Sequence, residues 1–548
     1  MAGSTGDTKT KKNRLIPEAG TVKMRLYGQG LGDCFLLAFP GKEKPCYVVI
    51  DCGVAMSTPD KALRIKKVVE NIRAATGGQI DALVITHQHF DHLSGFQDAW
   101  QEWKKIKVDA VYLPWTEAAA AQGEHASPKD FREILDQAAK KALEKAAQAG
   151  TLDANPGFRA QSGFLGVDLA ATVDGNGKGP ADMDEAMTFA RGLCPPGKIR
   201  YFEPGDVFSL PGTESHGYVL GPPLKDKVSP DGTRYIELLV DGSEGVMYSY
   251  ASLGMKVDKG KPGGANAFAL SDDRGLPALA SGLLAAGALS RDSDEGFNPF
   301  APEIRLDWDN AMSSTFFQDH YGDAKEKGEN GAWRRVDSDW LAGAATLALR
   351  AGAYTNNVSL VLAFDLPGSD KMLLFPGDAQ VGNWLSWHTI KAWNYRDSIP
   401  ANPPAAREKG KDQKEQTLME NLLSRVAFYK VGHHASHNAT IKDKGLELMT
   451  RKDLVAYIPV SVPVAQDLMG YCPMPFYPVV RALQRKTNGR VFLPTGHAVE
   501  PGPEGKTNAE LLAESGIVRS GVTLPEKKAK DGVLEAAVPL YLEMTIKA

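Results

Sequence analysis

Three imidazoles and a carboxylate stand within six positions in His87-Gln88-His89-Phe90-Asp91-His92, directly after the apolar run Ala82–Ile85. Histidine is otherwise scarce, 11 residues of 548, so unrelated satisfied side chains are a poor account of that density. Nitrogen and oxygen donors facing one point suit a borderline-soft divalent cation. One short segment rarely completes two coordination spheres, which sends the search to other strand ends. Asp378 follows apolar Leu373-Leu374-Phe375 through Pro376-Gly377, where glycine permits a tight turn and a carboxylate with two oxygens can bridge two cations. His433 and His434 leave a third strand in Tyr429-Lys430-Val431-Gly432-His433-His434-Ala435-Ser436-His437. Adjacent residues leaving a strand point different ways, so one imidazole is expected on a metal and the other toward substrate. His433, the first after the strand exit, is the expected ligand, and His437 is read as polar surface.

These residues need elements to hold them. Short apolar runs separated by turn signals predict strands at Met24–Tyr27, Cys34–Phe39, Tyr47–Ile50, Ala82–Ile85 and Val108–Leu113, with a helix from about residue 60 to 75. Further strands are expected at Ile199–Phe202, Val207–Leu210, Tyr218–Leu220, Val358–Phe364, Met372–Phe375, Val426–Val431, Val455–Val460 and Arg490–Leu493. Helices are expected at Ser127–Ala149, Thr417–Arg425 and Tyr477–Lys486, and no repeat of 20–50 residues recurs. Because residues 87, 378 and 433 must converge, most of the chain belongs to one discontinuous domain, residues 21–500, with insertions at 116–198, 222–335 and 381–416. A polar N-terminal arm, residues 1–20, precedes it, and residues 501–548 read as a C-terminal extension packed on the same domain.

Composition narrows the partners. Lys+Arg 63 against Asp+Glu 67 leaves a net charge of −4, so no general basic field advertises a long nucleic acid. Lysine clusters such as Lys409/Lys411/Lys414 are interspersed with acids and read as solvated faces. The longest uncharged stretch, Gly275 to Ser290, contains Pro277 and is shorter than the roughly 20 apolar residues of a membrane span. No membrane association is expected. Five cysteines form no CxxC pair, which argues against a disulfide framework or a thiolate zinc site and makes a reducing cytoplasm the expected compartment.

With those motifs in place the sequence resembles the metallo-β-lactamase superfamily, through HxHxDH, the later Gly-Asp at Asp378 and the later His433-His434. Within it the likeness is to the ComEC-type metallo-hydrolase domain, on GQGLGDCFLL, YVVIDCG, TNNVSLVLAF, LLFPGDAQ and FYKVGHHAS, which stand in the family's order. The resemblance implies an α/β fold, the four-layer αβ/βα sandwich, carrying large insertions and two divalent metal ions. Zinc is the expected ion and manganese the alternative. By motif position His87 and His89 hold one metal and Asp91 and His92 the other. Asp378 bridges, and His433 or His434 completes the second. Asp51 matches a supporting carboxylate and Asp33 a further family position. The chain departs from the pattern at Val219-Leu220-Gly221-Pro222-Pro223, a strand end without the lone histidine many members carry there. His216 precedes that strand instead, which leaves the first metal with more water.

Such a pair of cations lowers the pKa of water and clamps a developing oxyanion, so hydrolysis is the expected chemistry. Asp91 is expected to orient the attacking water, His434 to donate to the scissile oxygen or leaving group, and Ser436 to assist phosphate binding. A phosphodiester is the leading substrate class, small or within a nucleic acid. Hydrolysis of a carbon ester, lactone or amide is the alternative. A non-enzymatic scaffold presenting the insertions to unknown protein partners is the third reading.

Overall fold

Cys34–Phe39, CFLLAF, is apolar at every position, the pattern of a strand covered on both faces. Phe35, Leu37 and Phe39 enter one apolar core, while Cys34, Leu36 and Ala38 enter another on the opposite side. The same division recurs in the second half of the chain, where Leu373 and Phe375 face the first core and Met372 and Leu374 a third. Two sheets pressed face to face, each with helices on its outer side, satisfy all three cores at once. The computed structural model describes residues 13–118, 183–224, 227–230, 232–237, 313–315, 352–408, 415–468, 474–497, 499, 505–524 and 538–548.

In chain order the strands are β1 (Thr21–Tyr27), β2 (Cys34–Phe39), β3 (Cys46–Cys52), β4 (Gln79–Ile80), β5 (Ala82–Val84), β6 (Lys107–Val108), β7 (Val111–Pro114), β8 (Ile199–Phe202), β9 (Asp206–Ser209), β10 (His216–Gly221), β11 (Val361–Asp365), β12 (Met372–Phe375), β13 (Asn394–Tyr395), β14 (Val426–Lys430), β15 (Val455–Tyr457), β16 (Val491–Phe492), β17 (Ile517–Arg519) and β18 (Tyr541–Lys547). One eight-stranded sheet runs β17-β18-β1-β2-β3-β5-β7-β8, the other β13-β9-β10-β11-β12-β14-β15-β16, and β4 pairs with β6 beside them. β3, β5, β7 and β8 are mutually parallel, as are β12, β14, β15 and β16. Helices α1 (Lys61–Thr76) and α2 (Phe90–Asp98) cover the first sheet through Ile65, Val68, Ile72, Leu93 and Phe96. Helices α4 (Val381–Trp387), α5 (Leu418–Ser424) and α6 (Tyr477–Thr487) cover the second. The result is the expected four-layer α/β sandwich.

Several local expectations change. The strand expected over Val108–Leu113 is split at Asp109, whose carboxylate accepts a hydrogen bond from Gln79 Nε2 at 2.8 Å. The strand expected from Val358 begins at Val361, because residues 352–357 are helical and Leu360 N–H instead reaches Thr86 of the first sheet at 2.8 Å. Trp384 and Trp387 pack on each other inside the second sheet's helical layer. Within 381–416, β13 pairs with β9, so part of that segment is built into the sheet. Residues 183–198 include α3 (Met183–Arg191), which packs on α2. The arm at 1–12, the helix expected at Ser127–Ala149, Cys472 and most of 222–335 lie outside the described residues. Among the described residues no helix is long and apolar enough to cross a membrane.

The C-terminal strand is integral to the first sheet, a pairing that the short alternating run Tyr541–Lys547 did not announce. β18 pairs with β1 along its whole length, from Thr21↔Lys547 to Tyr27↔Tyr541. Its Leu542, Met544 and Ile546 face the inter-sheet core, and Glu543 accepts from Arg25 Nε at 3.0 Å. Deleting 538–548 removes the buried side chains of Val538, Leu540, Leu542, Met544 and Ile546, worth roughly 1.5–3 kcal/mol each when fully buried, and uncovers the edge of β1. The truncated chain is expected to lose about 5 kcal/mol or more in urea unfolding, and an unchanged midpoint would refute this account of β18.

Candidate metal centre

The parallel strands of both sheets end at one edge, and the chemical residues leave from those ends. Asp51, the penultimate residue of β3, has a positive φ of 53°. Its Oδ1 accepts from Thr86 N–H at 2.8 Å and its Oδ2 from the Thr86 hydroxyl at 2.6 Å. Oδ2 also lies 2.8 Å from His92 Nδ1. A carboxylate can only accept, so Nδ1 carries the proton and Nε2 is turned inward as an acceptor or ligand. His89 caps α2, while Asp91 and His92 occupy its first turn.

From the second sheet come Asp378, just past β12, and the turn Gly432–Ala435, just past β14. His433, His434 and Ala435 all have positive φ, 42°, 51° and 62°. That left-handed run aims His434 Nδ1 at the Pro459 carbonyl, 2.8 Å away, and brings Nε2 to 2.9 Å from Asp91 Oδ2. Close backbone approach on the other side depends on glycine. A Cβ on Gly53 would overlap the backbone of Asp91 and His92, and Gly32, φ 149°, lies against the Asp91 carbonyl.

Donor atoms of Asp91, His92, Asp378 and His434 all lie within 4.8 Å of one another, and all four residues are buried. His92 Nε2 is 3.2 Å from Asp378 Oδ2 and 3.6 Å from Asp91 Oδ2. Asp91 Oδ1, His92 Nε2 and Asp378 Oδ2 are buried without a hydrogen bond among the described residues. Each such atom is costly by about 1–3 kcal/mol unless something else satisfies it, so the donor set fits a cation. Beside it, His87 Nε2 and His89 Nδ1 are 3.2 Å apart. Two nitrogens at about 2.0–2.1 Å from one tetrahedral ion would be separated by roughly 3.3 Å, so this pair also has the spacing of co-ligands.

The placement bears on each expected site residue. His87, His89, Asp91, His92 and Asp378 come together. Of the histidine pair, His434 joins the converging donors, whereas His433 Nε2 is 4.0 Å from Asp378 Oδ2 and 3.3 Å from Asn356 Nδ2. Geometry therefore favours exchanging the roles expected for His433 and His434. Asp378 was expected to offer two oxygens, but its Oδ1 already accepts from Lys430 Nζ at 3.1 Å and His433 N–H at 3.2 Å, which leaves Oδ2. Asp33 meets Lys430 Nζ at 2.6 Å through Oδ2. Ser436 hydroxyl donates to Asn438 Oδ1 at 3.2 Å and His216 Nε2 lies 2.9 Å from Ser398 Oγ, so neither joins the donors. Sequence reasoning missed Thr86, Asn356 and Lys430. Lys430 had a signal, a lone cation inside the apolar run VAFYKV.

The electrostatics follow from this packing. Burial works against ionised Asp91 and Asp378, yet His92 and its neighbours outweigh it and hold both below the usual carboxylate range. Burial opposes charge on His92 and His434 too, but Asp378 and Asp91 lift both above 6.5. Burial pushes His87 well down and His433 down to about 4. Gly53→Ala is expected to push α2 away and cost at least about 2 kcal/mol in unfolding free energy together with metal retention; wild-type stability and metal content would contradict the packing argument. Raised His92 and His434 mean that protons compete with a cation for Nε2 until the pH exceeds their elevated pKa values. Metal uptake should therefore release protons at neutral pH and strengthen from pH 6 to 8, as calorimetry in buffers of differing ionisation enthalpy can show. Uptake independent of pH would count against these two ligands.

No curated protein matches the chain. Residues 27–159, which carry Asp33, Asp51 and the whole His87–His92 cluster, match the family model described as metallo-beta-lactamase superfamily, a likeness that suggests a metal-dependent hydrolase.

Proposed function

We propose that the protein is a metal-dependent phosphodiesterase acting from this centre, with zinc as the resident ion and manganese as the alternative. The observation that carries the reading is the meeting of Asp91, His92, Asp378 and His434 beside the His87–His89 pair, where Asp91 Oδ1, His92 Nε2 and Asp378 Oδ2 have no hydrogen bond among the described residues. His87, His89 and Asp378 would hold one ion, and Asp91, His92, His434 and Asp378 the other. Bound there, divalent ions supply an activated water at neutral pH and charge opposite the phosphoryl oxygens. A two-ion clamp suits in-line phosphoryl displacement, and the GQGLGDCFLL and FYKVGHHAS likeness to a DNA-uptake hydrolase points to the same substrate class.

The chain's own residues do the positioning. Asp51 and the Pro459 carbonyl lock His92 and His434 as Nδ1–H tautomers, so neither ring turns during the reaction. Asp91, whose Oδ2 lies 2.9 Å from His434 Nε2, orients the attacking water. His433 is the least buried of the group, with 12% of its side chain exposed, and faces substrate. Neutral well below pH 7, it acts as a hydrogen-bond donor to the developing oxyanion rather than as a proton source. Net charge −4 supports a short phosphodiester over a long duplex. Buried, unbridged Cys34, Cys46, Cys52 and Cys194 support a reducing compartment such as the cytoplasm.

The deciding experiment is metal analysis followed by a panel of bis-p-nitrophenyl phosphate, cyclic nucleotides, single- and double-stranded DNA, RNA, nitrocefin and a lactone. Phosphodiester turnover that disappears on chelation is expected, and Asp91→Ala or Asp378→Ala should lower kcat by about 10²–10⁴ with the fold retained. Turnover confined to lactone, ester or β-lactam would replace the phosphodiester reading with the carbon-acyl one.

A further inference from the structure

Lys430 ends β14 and points the same way as Phe428, two residues earlier, which lies in the core between the sheets. An ammonium there, with 1% of its side chain exposed, is strongly unfavourable unless fully partnered. It is fully partnered: its three N–H donors meet Asp33 Oδ2 at 2.6 Å, the Gly377 carbonyl at 2.7 Å and Asp378 Oδ1 at 3.1 Å. The partners come from both sheets, so Lys430 joins them directly beneath the donor cluster.

A simple structural cation could sit anywhere in the core. This one is bonded to the carboxylate whose other oxygen, Asp378 Oδ2, lies 3.2 Å from His92 Nε2 and 3.7 Å from His434 Nε2. With Oδ1 occupied, Asp378 presents one oxygen to the centre. Asp33 stands 3.8 Å from His92 Nδ1 and would otherwise add an uncancelled negative charge behind the imidazoles. Imidazole-rich, oxygen-poor donor sets favour zinc, while additional carboxylate oxygens favour harder ions such as manganese.

We propose that Lys430 is a positioning residue that sets the ion preference of the centre, by withholding Asp378 Oδ1 and cancelling the charge of Asp33. The inference rests on the metal centre described above and on no particular substrate. Its test uses the full chain stripped with a chelator, with Zn²⁺ and Mn²⁺ affinities measured by competition against a chromophoric chelator. In Lys430→Met the ammonium leaves Asp378 Oδ1, which keeps only the His433 N–H, and Asp33 is uncancelled, so the ratio of Zn²⁺ to Mn²⁺ affinity should fall by about tenfold or more. Mere loosening of the packing would weaken both ions together and leave the ratio alone. Should Lys430→Met fail to fold, Asp33→Asn/Lys430→Met removes the excess buried charge while still taking the ammonium off Asp378 Oδ1, and a fall in the same direction, larger than about twofold, is expected. A ratio within about twofold of the unsubstituted protein in either folded variant overturns the proposal. Absence of binding of either ion to the unsubstituted chain would overturn the metal centre itself, whereas the choice of phosphodiester over carbon ester is untouched by this measurement.

Discussion

Four carboxylates, Asp33, Asp51, Asp91 and Asp378, are buried around one point, and the surrounding architecture answers the problem of keeping that much like charge out of water. Each oxygen needs a donor or a cation, or the carboxylate protonates and the site is lost. Asp51 is answered by Thr86 and His92, Asp33 by Lys430, Asp91 by His434, and Asp378 by Lys430 on one oxygen and the open donor cluster on the other. No single strand end can present that many opposed groups. Two sheets whose parallel strands finish at the same edge can, and β3, β5, β12 and β14 do so here.

Holding the groups in register carries a conformational cost. Asp51, His433, His434 and Ala435 are non-glycine residues in the left-handed region, each unfavourable by about 1–3 kcal/mol. Three of the four are consecutive, a run that would not persist unaided. It persists because the turn is pinned from several sides: His434 Nδ1 to Pro459, His433 N–H to Asp378, and Phe476 N–H to the Ala435 carbonyl at 2.8 Å. Strain and buried charge therefore fall at the same place, and both are sustained by the dry inter-sheet core of Phe35, Phe375, Phe428 and Tyr457 beneath them. Glycines 32 and 53 complete the arrangement by letting the backbone of Asp91 approach more closely than any side chain allows.

Much of this was legible before any coordinates. HxHxDH, Gly-Asp and His-His are local motifs whose residue types state their chemistry, and apolar runs of four to six residues marked most of the strands that deliver them. Less legible were contacts made by residues of ordinary type. Thr86 looks like any strand-end threonine, Asn356 like any loop amide, and Tyr541–Lys547 like a weak alternating segment. Their roles depend on partners some 35, 77 and more than 500 positions away.

Donor identity and approximate strand position are properties of short segments, so the amino-acid order already contained most of the strands and the candidate ligands, and the resemblance carried by those motifs implied the four-layer sandwich. The choice between His433 and His434 is of another kind. It turns on a left-handed backbone run, on a carbonyl at Pro459 and on an aspartate 343 positions away, all of which act on the ring only once the two sheets have closed. Lys430 is the same case: in the sequence it is a charge interrupting an apolar strand, and it becomes part of the centre because folding removes water and leaves Asp33 and Asp378 as its partners.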